Sequence, residues 1–243
     1  QARLARNDRA VLAEAEKLWL TMLEPPEPCR PVMDALVANQ RISTDEVWAR
    51  ARRQVEANRP GWAKTTLNYL PESQVPDSRA FDSAISSAMS HLVRQPGNWS
   101  GSRAGRELAA FAISRLAAND PRVAADELEK IKDKLHDAER QWAWSQIALQ
   151  GAKKHLSETV GWYAKAGKTA LSEEGAQWKV RAALRAQEWG VVRDTIEAMP
   201  AELAAKPDWT YWLGRALKSG GRTTEADALF EKIAGQPNFY SNL

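Results

Sequence analysis

The chain has 243 residues, 44% of them hydrophobic, and its 34 Lys and Arg against 31 Asp and Glu give a formal net charge of +3. Since single cores stop growing near about 250–300 residues, we expect one domain over residues 1–243. The charges alternate in sign instead of forming one basic stripe, which argues against a nucleic-acid partner. No apolar run approaches the roughly 18 residues that span a bilayer, so stable membrane insertion is not expected.

The first two thirds of the chain predict a series of amphipathic helices. Apolar residues recur at intervals of three and four between Pro, Gly, Asn and Asp, whereas strands would alternate every second residue. Thr44-Asp45-Glu46 favours a helix start, and Asn119-Asp120-Pro121 combines an N-cap with proline at the first helical position. The predicted elements are a face from Leu12 to Trp19 and helices from Thr44 to about Asn58, Trp62 to Leu70, Asp77 to Leu92, Gly105 to Ala118, Asp120 to about His136, and Arg140 to Gln150.

Two similar helical hairpins follow. The first begins at Trp178 and ends near Met199-Pro200, and the second begins at Trp212 and ends near Ile233. In both, Trp is followed three residues later by Arg, then by Ala and Leu, a turn with Gly, and a partner helix. The second hairpin resembles a tetratricopeptide-type repeat because six residues fall at the spacings of that repeat: Leu213, Gly214, Ala216, Gly221, Ala226 and Phe230.

The physical reason for that pattern is close helix crossing. Gly214 and Ala226 are small where two helices approach, and Phe230 fills the seam between them. Because such a hairpin cannot bury its apolar face alone, neighbouring hairpins must stack on it. The earlier hairpins match the repeat poorly. The sequence therefore predicts an all-α fold, an irregular superhelical array of antiparallel helical hairpins of the tetratricopeptide-like α-solenoid kind.

Tryptophan is abundant, with eleven residues against four Phe and four Tyr. Trp fills large gaps between packed helices and also forms stacking platforms for sugar rings. At helical spacing the packing role is the more common of the two, so we expect most of these side chains in the core.

The sequence offers no catalytic, cofactor or metal site. The three histidines, His91, His136 and His155, fit no metal-binding spacing, and one cysteine cannot complete a structural zinc site. The glycines lack the Lys and strand context of a phosphate-binding loop. Asn98-Trp99-Ser100 is a glycosylation acceptor only in a eukaryotic secretory host. Cys29 is either a buried thiol, which composition favours, or half of a bridge whose partner lies outside the chain.

Three stretches of the sequence are distinctive when taken together. They are Ala15 to Thr21 followed by Pro28-Cys29, the helix–turn–helix from Arg181 to Pro200, and Asp208-Trp209-Thr210-Tyr211-Trp212 with Arg215-Ala216-Leu217, Gly221-Arg222, Glu225-Ala226 and Asn238-Phe239-Tyr240. Together they resemble the helical, non-catalytic part of the soluble lytic murein transglycosylases of Gram-negative bacteria. The third stretch is the most specific. The resemblance spans most of the chain, although residues 60–170 agree mainly in their helical style.

This resemblance implies a U-shaped helical domain that is joined, in the parent enzyme, to a linker domain and a lysozyme-like catalytic domain. Such an enzyme cleaves the bond between N-acetylmuramic acid and N-acetylglucosamine without water, leaving a 1,6-anhydromuramic product, with one glutamate acting as acid and then base. The sequence motifs of the catalytic domain in that family are a Glu-Ser pair on a helix, followed by Gly-Leu-Met-Gln and Ala-Tyr-Asn-Ala-Gly. Here the pair Glu72-Ser73 lies in a proline-flanked turn, so Glu72 receives no catalytic role and this chain alone is expected to be inactive.

The resemblance also bears on the compartment and on the single thiol. Members of the family can carry a disulfide in the helical domain, with a second cysteine slightly upstream of this chain, and Cys29 would then be half of such a bridge. The parent protein is expected in the periplasm, an oxidising compartment, although Gln1 to Arg6 is not a signal peptide.

Three functions remain open at this point. The first is a scaffold that embraces glycan strands or peptide stems of peptidoglycan, with candidate contacts among Arg103, Arg106, Trp142, Trp144, Lys153 and Lys154. The second is a tetratricopeptide-like module that binds a protein or peptide in a superhelical groove, and the last hairpin supports it. The third is a nucleic-acid-binding repeat, which the mixed charges oppose and which a steep loss of affinity with salt would reveal.

Overall fold

The computed structural model describes residues 10–235, and no strand occurs within that range. The predicted all-α class is confirmed. The described chain divides into two compact units. One consists of residues 10–116 and 131–139, and the other of residues 117–130 and 140–235. The single domain over residues 1–243 and the superhelical array stay predictions. The motifs Gln1 to Arg6 and Asn238-Phe239-Tyr240 lie outside the described residues.

Fifteen α-helices lie between residues 10 and 235. Those of the first unit are α1 (Ala10–Glu16), α2 (Arg30–Ala38), α3 (Thr44–Glu56), α4 (Pro60–Leu67), α5 (Ser78–Ser86) and α6 (Ala88–Val93). Helices that contribute residues to both units are α7 (Arg103–Asn119), α8 (Pro121–Ile131) and α9 (Asp137–Lys153). The second unit continues with α10 (Thr159–Lys165), α11 (Glu173–Arg185), α12 (Trp189–Glu197), α13 (Ala201–Ala204), α14 (Pro207–Ser219) and α15 (Thr223–Ala234).

Two predicted helix starts are confirmed by their caps. Before α3, the Ser43 hydroxyl accepts from the backbone N–H of Glu46 (3.3 Å), and Glu46 Oε2 accepts from the backbone N–H of Ser43 (2.8 Å). Asp120 Oδ1 accepts from the backbone N–H of Arg122 (2.9 Å) at the start of α8. Each cap satisfies donors that the helix itself leaves unpaired and contributes about 1 kcal/mol.

The single helix predicted from Asp77 to Leu92 is wrong. Helix α5 ends at Ser86 and α6 begins at Ala88, because Ser87 has φ −137° and ψ 48°, far from helical values. The Ser86 hydroxyl donates to the carbonyl of Asp82 (2.5 Å). Hydroxyls that bond to the preceding turn in this way compete with the helical ladder and bend it.

Two other boundaries also differ from the prediction. The helix predicted from Trp62 to Leu70 is α4, which begins at Pro60 with proline in the first turn, where its missing N–H costs nothing. The helix predicted to reach His136 ends at Ile131 and continues as the 3-10 turn Lys132–Lys134. Tight turns of this kind commonly finish α-helices.

Aromatic rings build the core of the first unit. Trp48 and Phe111 are fully buried, and their ring centroids lie 6.4 Å apart. Phe81 packs edge-on against Phe111 with a centroid distance of 6.2 Å. Tilted and edge-to-face pairs of this geometry add attraction beyond the burial of apolar area. These contacts join α3, α5 and α7.

Helix α3 also fixes the irregular segment that follows α1. The buried Arg50 guanidinium donates to the carbonyls of Trp19 and Met22, and Gln54 Nε2 donates to the carbonyl of Leu23 (2.7 Å). The Trp19 indole in turn donates to the carbonyl of Glu46 (2.9 Å). Backbone carbonyls without helical partners are therefore satisfied by side chains, as buried carbonyls require.

The second unit has a core of its own between α11, α12 and α14. Val180, Ala183, Val192 and Ile196 are fully buried, and Trp209 packs with them at 3% exposure. The small Ala183 lets the helices approach while the branched residues fill the space between them.

The α14–α15 hairpin has the predicted seam. A Cβ atom added at Gly214 would lie 2.5 Å from Phe230 Cε1, so any side chain there would displace the ring. Ala226, on the partner helix, is fully buried. The expected roles of these three residues are confirmed for this hairpin.

Between residues 10 and 235, five turns that follow helices share one backbone geometry. After α11, the N–H of Gln187 donates to the carbonyl of Leu184 (3.1 Å) and the N–H of Glu188 to that of Ala183 (2.9 Å), which is the Schellman pattern. The residue that turns the chain has a positive φ, at 58° in Gln187. The residues in this position are Gln40, Asn58, His155, Gln187 and Gly221. Only Gly221 is the residue that this conformation favours.

We expect the substitution Gln187→Gly to stabilise the chain by about 1 kcal/mol, because glycine adopts positive φ without the Cβ clash. The melting temperature, followed by circular dichroism, should rise by about 2–4 °C. The matched control is Gly221→Ala, which places a Cβ in the same conformation and should lower it by a similar amount. A fall in the melting temperature of Gln187→Gly would contradict the assignment.

Candidate functional site

The six candidate contact residues are divided between the two units. Arg103 and Arg106 belong to α7 in the first unit, whereas the other four lie in or directly after α9 in the second unit. Lys153 is paired with Glu174, with 2.8 Å between Nζ and Oε1, and Lys154 donates to the carbonyl of Asn119. Both lysines therefore already have partners within the second unit.

Trp142 and Trp144, which the sequence placed among the candidate contacts, are buried and offer no exposed ring face to a sugar. Their exposures are 4% and 3%, and the Lys165 ammonium lies 4.3 Å from the centroid of the Trp144 ring. The packing role expected for most tryptophans is confirmed, since six of the eleven are buried. The buried ones are Trp19, Trp48, Trp142, Trp144, Trp162 and Trp209.

Arg103 and Arg106 take part in buried ion pairs. Glu107 is 0% exposed, and Arg52 donates to both of its oxygens, from Nε and from Nη2, at 2.8 Å each. Arg103 adds a longer contact to Glu107 (3.4 Å) and pairs with Asp45 on the other side. A bidentate Arg–carboxylate pair of this kind fixes geometry as well as charge.

A second buried pair stands beside the first. Arg106 donates from Nε to Glu139 Oε1 (3.2 Å) and from Nη1 to the carbonyl of Ser100 (2.8 Å). Glu139 Oε2 is buried and has no hydrogen-bond partner among residues 10–235. Burial raises the pKa of Glu107, and the nearby Glu139 carboxylate raises it further, while Arg52 and Arg103 oppose the change. These ion pairs join α3, α7 and α9.

The other residues considered for chemistry lie apart from one another. Glu72 is exposed in the 3-10 turn Glu72–Gln74, and His136 and His155 are exposed while His91 is half-buried. Within residues 10–235, no group of three or more His, Cys, Asp or Glu side chains is arranged to hold a metal ion. None of the described helices combines the length and the apolar character that crossing a membrane requires.

A cavity of about 240 Å³ lies entirely within the second unit, between the end of α9, the start of α10 and the last turns of α11. The sequence did not reveal it. Its position depends on the turn at His155, where φ is 60° and the N–H of Leu156 donates to the carbonyl of Gly151 (2.9 Å). The lining residues are Ala152, His155, Leu156, Ser157, Thr159, Val160, Ala182, Arg185 and Ala186.

The negative charge of an acidic side chain beside the cavity is already balanced by an arginine. Arg122 Nε donates to Glu158 Oε1 (2.7 Å), and the Ser157 hydroxyl donates to Glu158 Oε2 (3.1 Å). The Arg122 hydrogen bond is the main reason that the pKa of Glu158 falls to about 2. This carboxylate therefore stays ionised and paired, and it does not act as an acid.

Aromatic side chains stand near the cavity. The Trp178 ring lies 6.2 Å from the His155 ring, and the Arg181 guanidinium lies 5.2 Å from the centroids of both Trp178 and Trp209. Trp178 is half-buried, in contrast to the buried Trp209. The lining of the cavity thus combines small apolar groups, hydroxyls and a guanidinium, and the Trp178 indole lies next to His155 outside it.

Comparison with known proteins gives a consistent result. The soluble lytic murein transglycosylase of Escherichia coli K12 is 22% identical over 249 residues, which cover 93% of this chain and 35% of that protein. The enzyme of Escherichia coli O157:H7 matches equally. The chain is similar in sequence to soluble lytic murein transglycosylase. No protein-family model matches it.

Solved lytic transglycosylases share the fold. An inactive mutant of lytic transglycosylase Slt from Pseudomonas aeruginosa aligns with 99% of this chain at a TM-score of 0.55 and 23% identity. A 70-kDa soluble lytic transglycosylase in complex with bulgecin A aligns over the same share at 0.51 and 21%. In both cases 39% of the longer chain is covered. The resemblance to soluble lytic murein transglycosylases is confirmed, and the chain spans about a third of the length of those relatives.

Proposed function

We propose that this chain is the non-catalytic helical scaffold of a peptidoglycan lytic transglycosylase that acts in the periplasm. The parent enzyme would cleave the bond between N-acetylmuramic acid and N-acetylglucosamine and leave 1,6-anhydromuramic products. The supporting observation is the match to soluble lytic murein transglycosylase over 93% of this chain but only 35% of that protein. The scaffold would hold murein strands for chemistry performed elsewhere in the parent.

The local chemistry of the described residues supports the non-catalytic half of this proposal. A general acid for glycosidic cleavage needs a carboxyl whose pKa is raised and which can reach a substrate. Burial raises the pKa of Glu107, yet this side chain is 0% exposed and bound by Arg52. Glu72 is open to solvent on a short turn. Neither carboxyl combines both properties.

The test is co-sedimentation of the purified chain with murein sacculi, followed by analysis of the soluble fraction by mass spectrometry. We expect the chain to sediment with sacculi and not with cellulose, which has the same β-1,4 linkage but no acetamido groups or peptides. We expect no anhydromuropeptides above the level of a mock preparation. Release above that level, or absence of sedimentation, would refute the scaffold assignment.

A tetratricopeptide-like module that binds a protein or peptide is the second candidate, and the α14–α15 hairpin favours it. The close approach of Gly214 to Phe230 and the burial of Ala226 are what such a hairpin needs. Specific capture of one protein, together with indifference to sacculi, would support this alternative against the first.

A further inference from the structure

One face of α11 carries two arginines beside the second-unit cavity. Its residues are Trp178, Arg181, Ala182, Arg185 and Ala186, whose helical spacing places them on one side of the helix. We call them the α11 face. Ala182, Arg185 and Ala186 line the cavity, and the other side of α11 packs into the core of the second unit.

Arg181 is held between two indole rings. Its guanidinium carbon lies 5.2 Å from the centroids of both Trp178 and Trp209, within the roughly 6 Å range of a cation–π contact. The Arg181 side chain is nevertheless exposed, and it makes no hydrogen bond to any of residues 10–235. Because the rings restrict this side chain in advance, less conformational entropy is lost when its N–H groups bind a ligand.

Neither arginine of the α11 face is balanced by a carboxylate. Arg185 is exposed and donates from Nη2 to the carbonyl of His155 (3.2 Å), and neither it nor Arg181 forms an ion pair in the described part of the chain. Three other arginines of the second unit each pair with a carboxylate, and they are Arg122, Arg193 and Arg222. The α11 face therefore offers two guanidinium groups that are complementary in charge to the carboxylates of a ligand.

The cavity beside Arg185 is apolar and small. Ala152, Ala182 and Ala186 contribute only methyl groups, and Leu156 and Val160 add aliphatic surface. Its volume of about 240 Å³ is below the roughly 300–1,000 Å³ of pockets for drug-sized ligands. Such a lining gains free energy from burying an aliphatic side chain and loses it from burying an unpaired charge.

The spacing of the two arginines fits an extended chain. Arg181 and Arg185 are four residues apart, which is about 6 Å along the helix axis. In an extended peptide, side chains two positions apart point to the same side and are about 6.6 Å apart. Carboxylates at alternate positions of such a peptide therefore match both guanidinium groups, and a third side chain on the same side is within reach of the cavity that Arg185 lines.

We propose that the α11 face docks an acidic, extended segment of a protein partner. Two Asp or Glu side chains of the segment pair with Arg181 and Arg185, and one Leu, Ile or Val side chain enters the cavity. Charge complementarity and the aliphatic lining together name this occupant. The inference goes beyond the proposed function, because it concerns a protein partner and does not depend on murein binding.

The test is selection of a random heptapeptide library, displayed on phage, against the immobilised chain. We expect the enriched peptides to carry two acidic residues at alternate positions and an aliphatic residue on the same side. Enrichment of basic or uncharged peptides, or no enrichment above a surface without the chain, would overturn the proposal.

Variants then locate the binding of the enriched peptide, which is labelled with fluorescein and followed by anisotropy. Arg181→Gln and Arg185→Gln should each weaken its affinity about fivefold or more, because each removes charge-assisted donors. Lys218→Gln is the matched control and should change nothing, since Lys218 is also an exposed cation near the end of a helix. Unchanged affinity in both arginine variants would overturn the proposal.

A second substitution tests the anchor from the side of the peptide. Replacing its aliphatic residue by Asn should weaken binding about tenfold, because the apolar cavity cannot pair the amide. Equal affinity of the two peptides would overturn the assignment of the cavity, and this result does not require any variant of the chain to fold.

Murein separates this inference from the proposed function. The double variant Arg181→Gln/Arg185→Gln should sediment with sacculi as the wild type does, while it no longer binds the peptide. Loss of sacculus binding in the double variant, or displacement of the peptide by a soluble muropeptide at equal concentration, would show that the α11 face is a murein contact and would overturn the protein partner. Failure of the wild-type chain to sediment, with peptide binding intact, would refute the scaffold assignment and leave the docking surface standing.

Discussion

Substituting Glu107 by Leu is expected to lower the free energy of unfolding by about 3 kcal/mol. The change removes a bidentate partner of Arg52, whose side chain is only 12% exposed and whose two hydrogen bonds to Glu107 are both 2.8 Å long. The guanidinium keeps its desolvation penalty and loses the attraction of this buried carboxylate. Urea unfolding followed by circular dichroism measures the effect.

A double-mutant cycle identifies the cause. Adding Arg52→Met to Glu107→Leu should recover most of the lost stability, because an apolar pair of similar volume is often as stable as a buried ion pair. Glu24→Gln is the control, since its pair with Arg59 is about half exposed and should contribute less than about 1 kcal/mol. A Glu107→Leu variant as stable as the wild type would show that the pair is solvated.

The substitution Gly105→Ala is expected to destabilise the chain by about 1–3 kcal/mol through overpacking. A Cβ atom at this position would lie 2.0 Å from the carbonyl oxygen of Trp99, which is a backbone atom and cannot rotate away. The start of α7 or the 3-10 turn Trp99–Gly101 would have to move. Thermal unfolding of the variant measures the cost.

Gly161→Ala is the matched comparison. Gly161 lies away from the ends of α10 and is exposed to solvent, and a Cβ atom there would meet nothing within 4 Å. Alanine should therefore stabilise this helix by about 0.5–1 kcal/mol, in accord with intrinsic helix propensity. If both alanine variants change the melting temperature in the same direction, steric contact with Trp99 does not explain the effect at Gly105.

Local chemistry explains which parts of the fold could be predicted. The starts at Thr44 and Asp120 depend on side chains within three residues of the helix, so the sequence contains the whole signal. The break at Ser87 could not be read in this way, because serine is common inside helices and only its φ and ψ values show the interruption. The turn at Gln187 likewise could not be predicted, because the residue with positive φ is not a glycine.

The burial of the tryptophans was predictable in part. Residues 142–149 are all buried, which means that α9 is covered on every side. A helix of that kind needs apolar or small residues all round, and Trp-Ala-Trp-Ser-Gln-Ile-Ala-Leu has no charge. That run is the overlooked signal. The burial of α7 was harder to predict. Its charged residues Arg106 and Glu107 are buried only because partners from distant parts of the sequence reach them.

The cavity could not have been predicted from the sequence. One of its polar groups, Arg185, is in the sequence an ordinary cation at a helix end, and Ala152 lies thirty residues before Ala182. What brings them to one lining is the left-handed turn at His155 together with the packing of α10. Both depend on tertiary structure, which composition and periodicity do not contain.

The Schellman turns have a consequence for how a fold of this kind is inherited. Four different residue types, Gln, Asn, His and Gly, close turns of the same shape in one chain. The positive φ is the same at each of these positions, whereas the residue type varies. Each residue other than glycine costs about 1 kcal/mol of stability. Mutations can therefore remove the sequence motif of such a hairpin long before they change the path of its backbone.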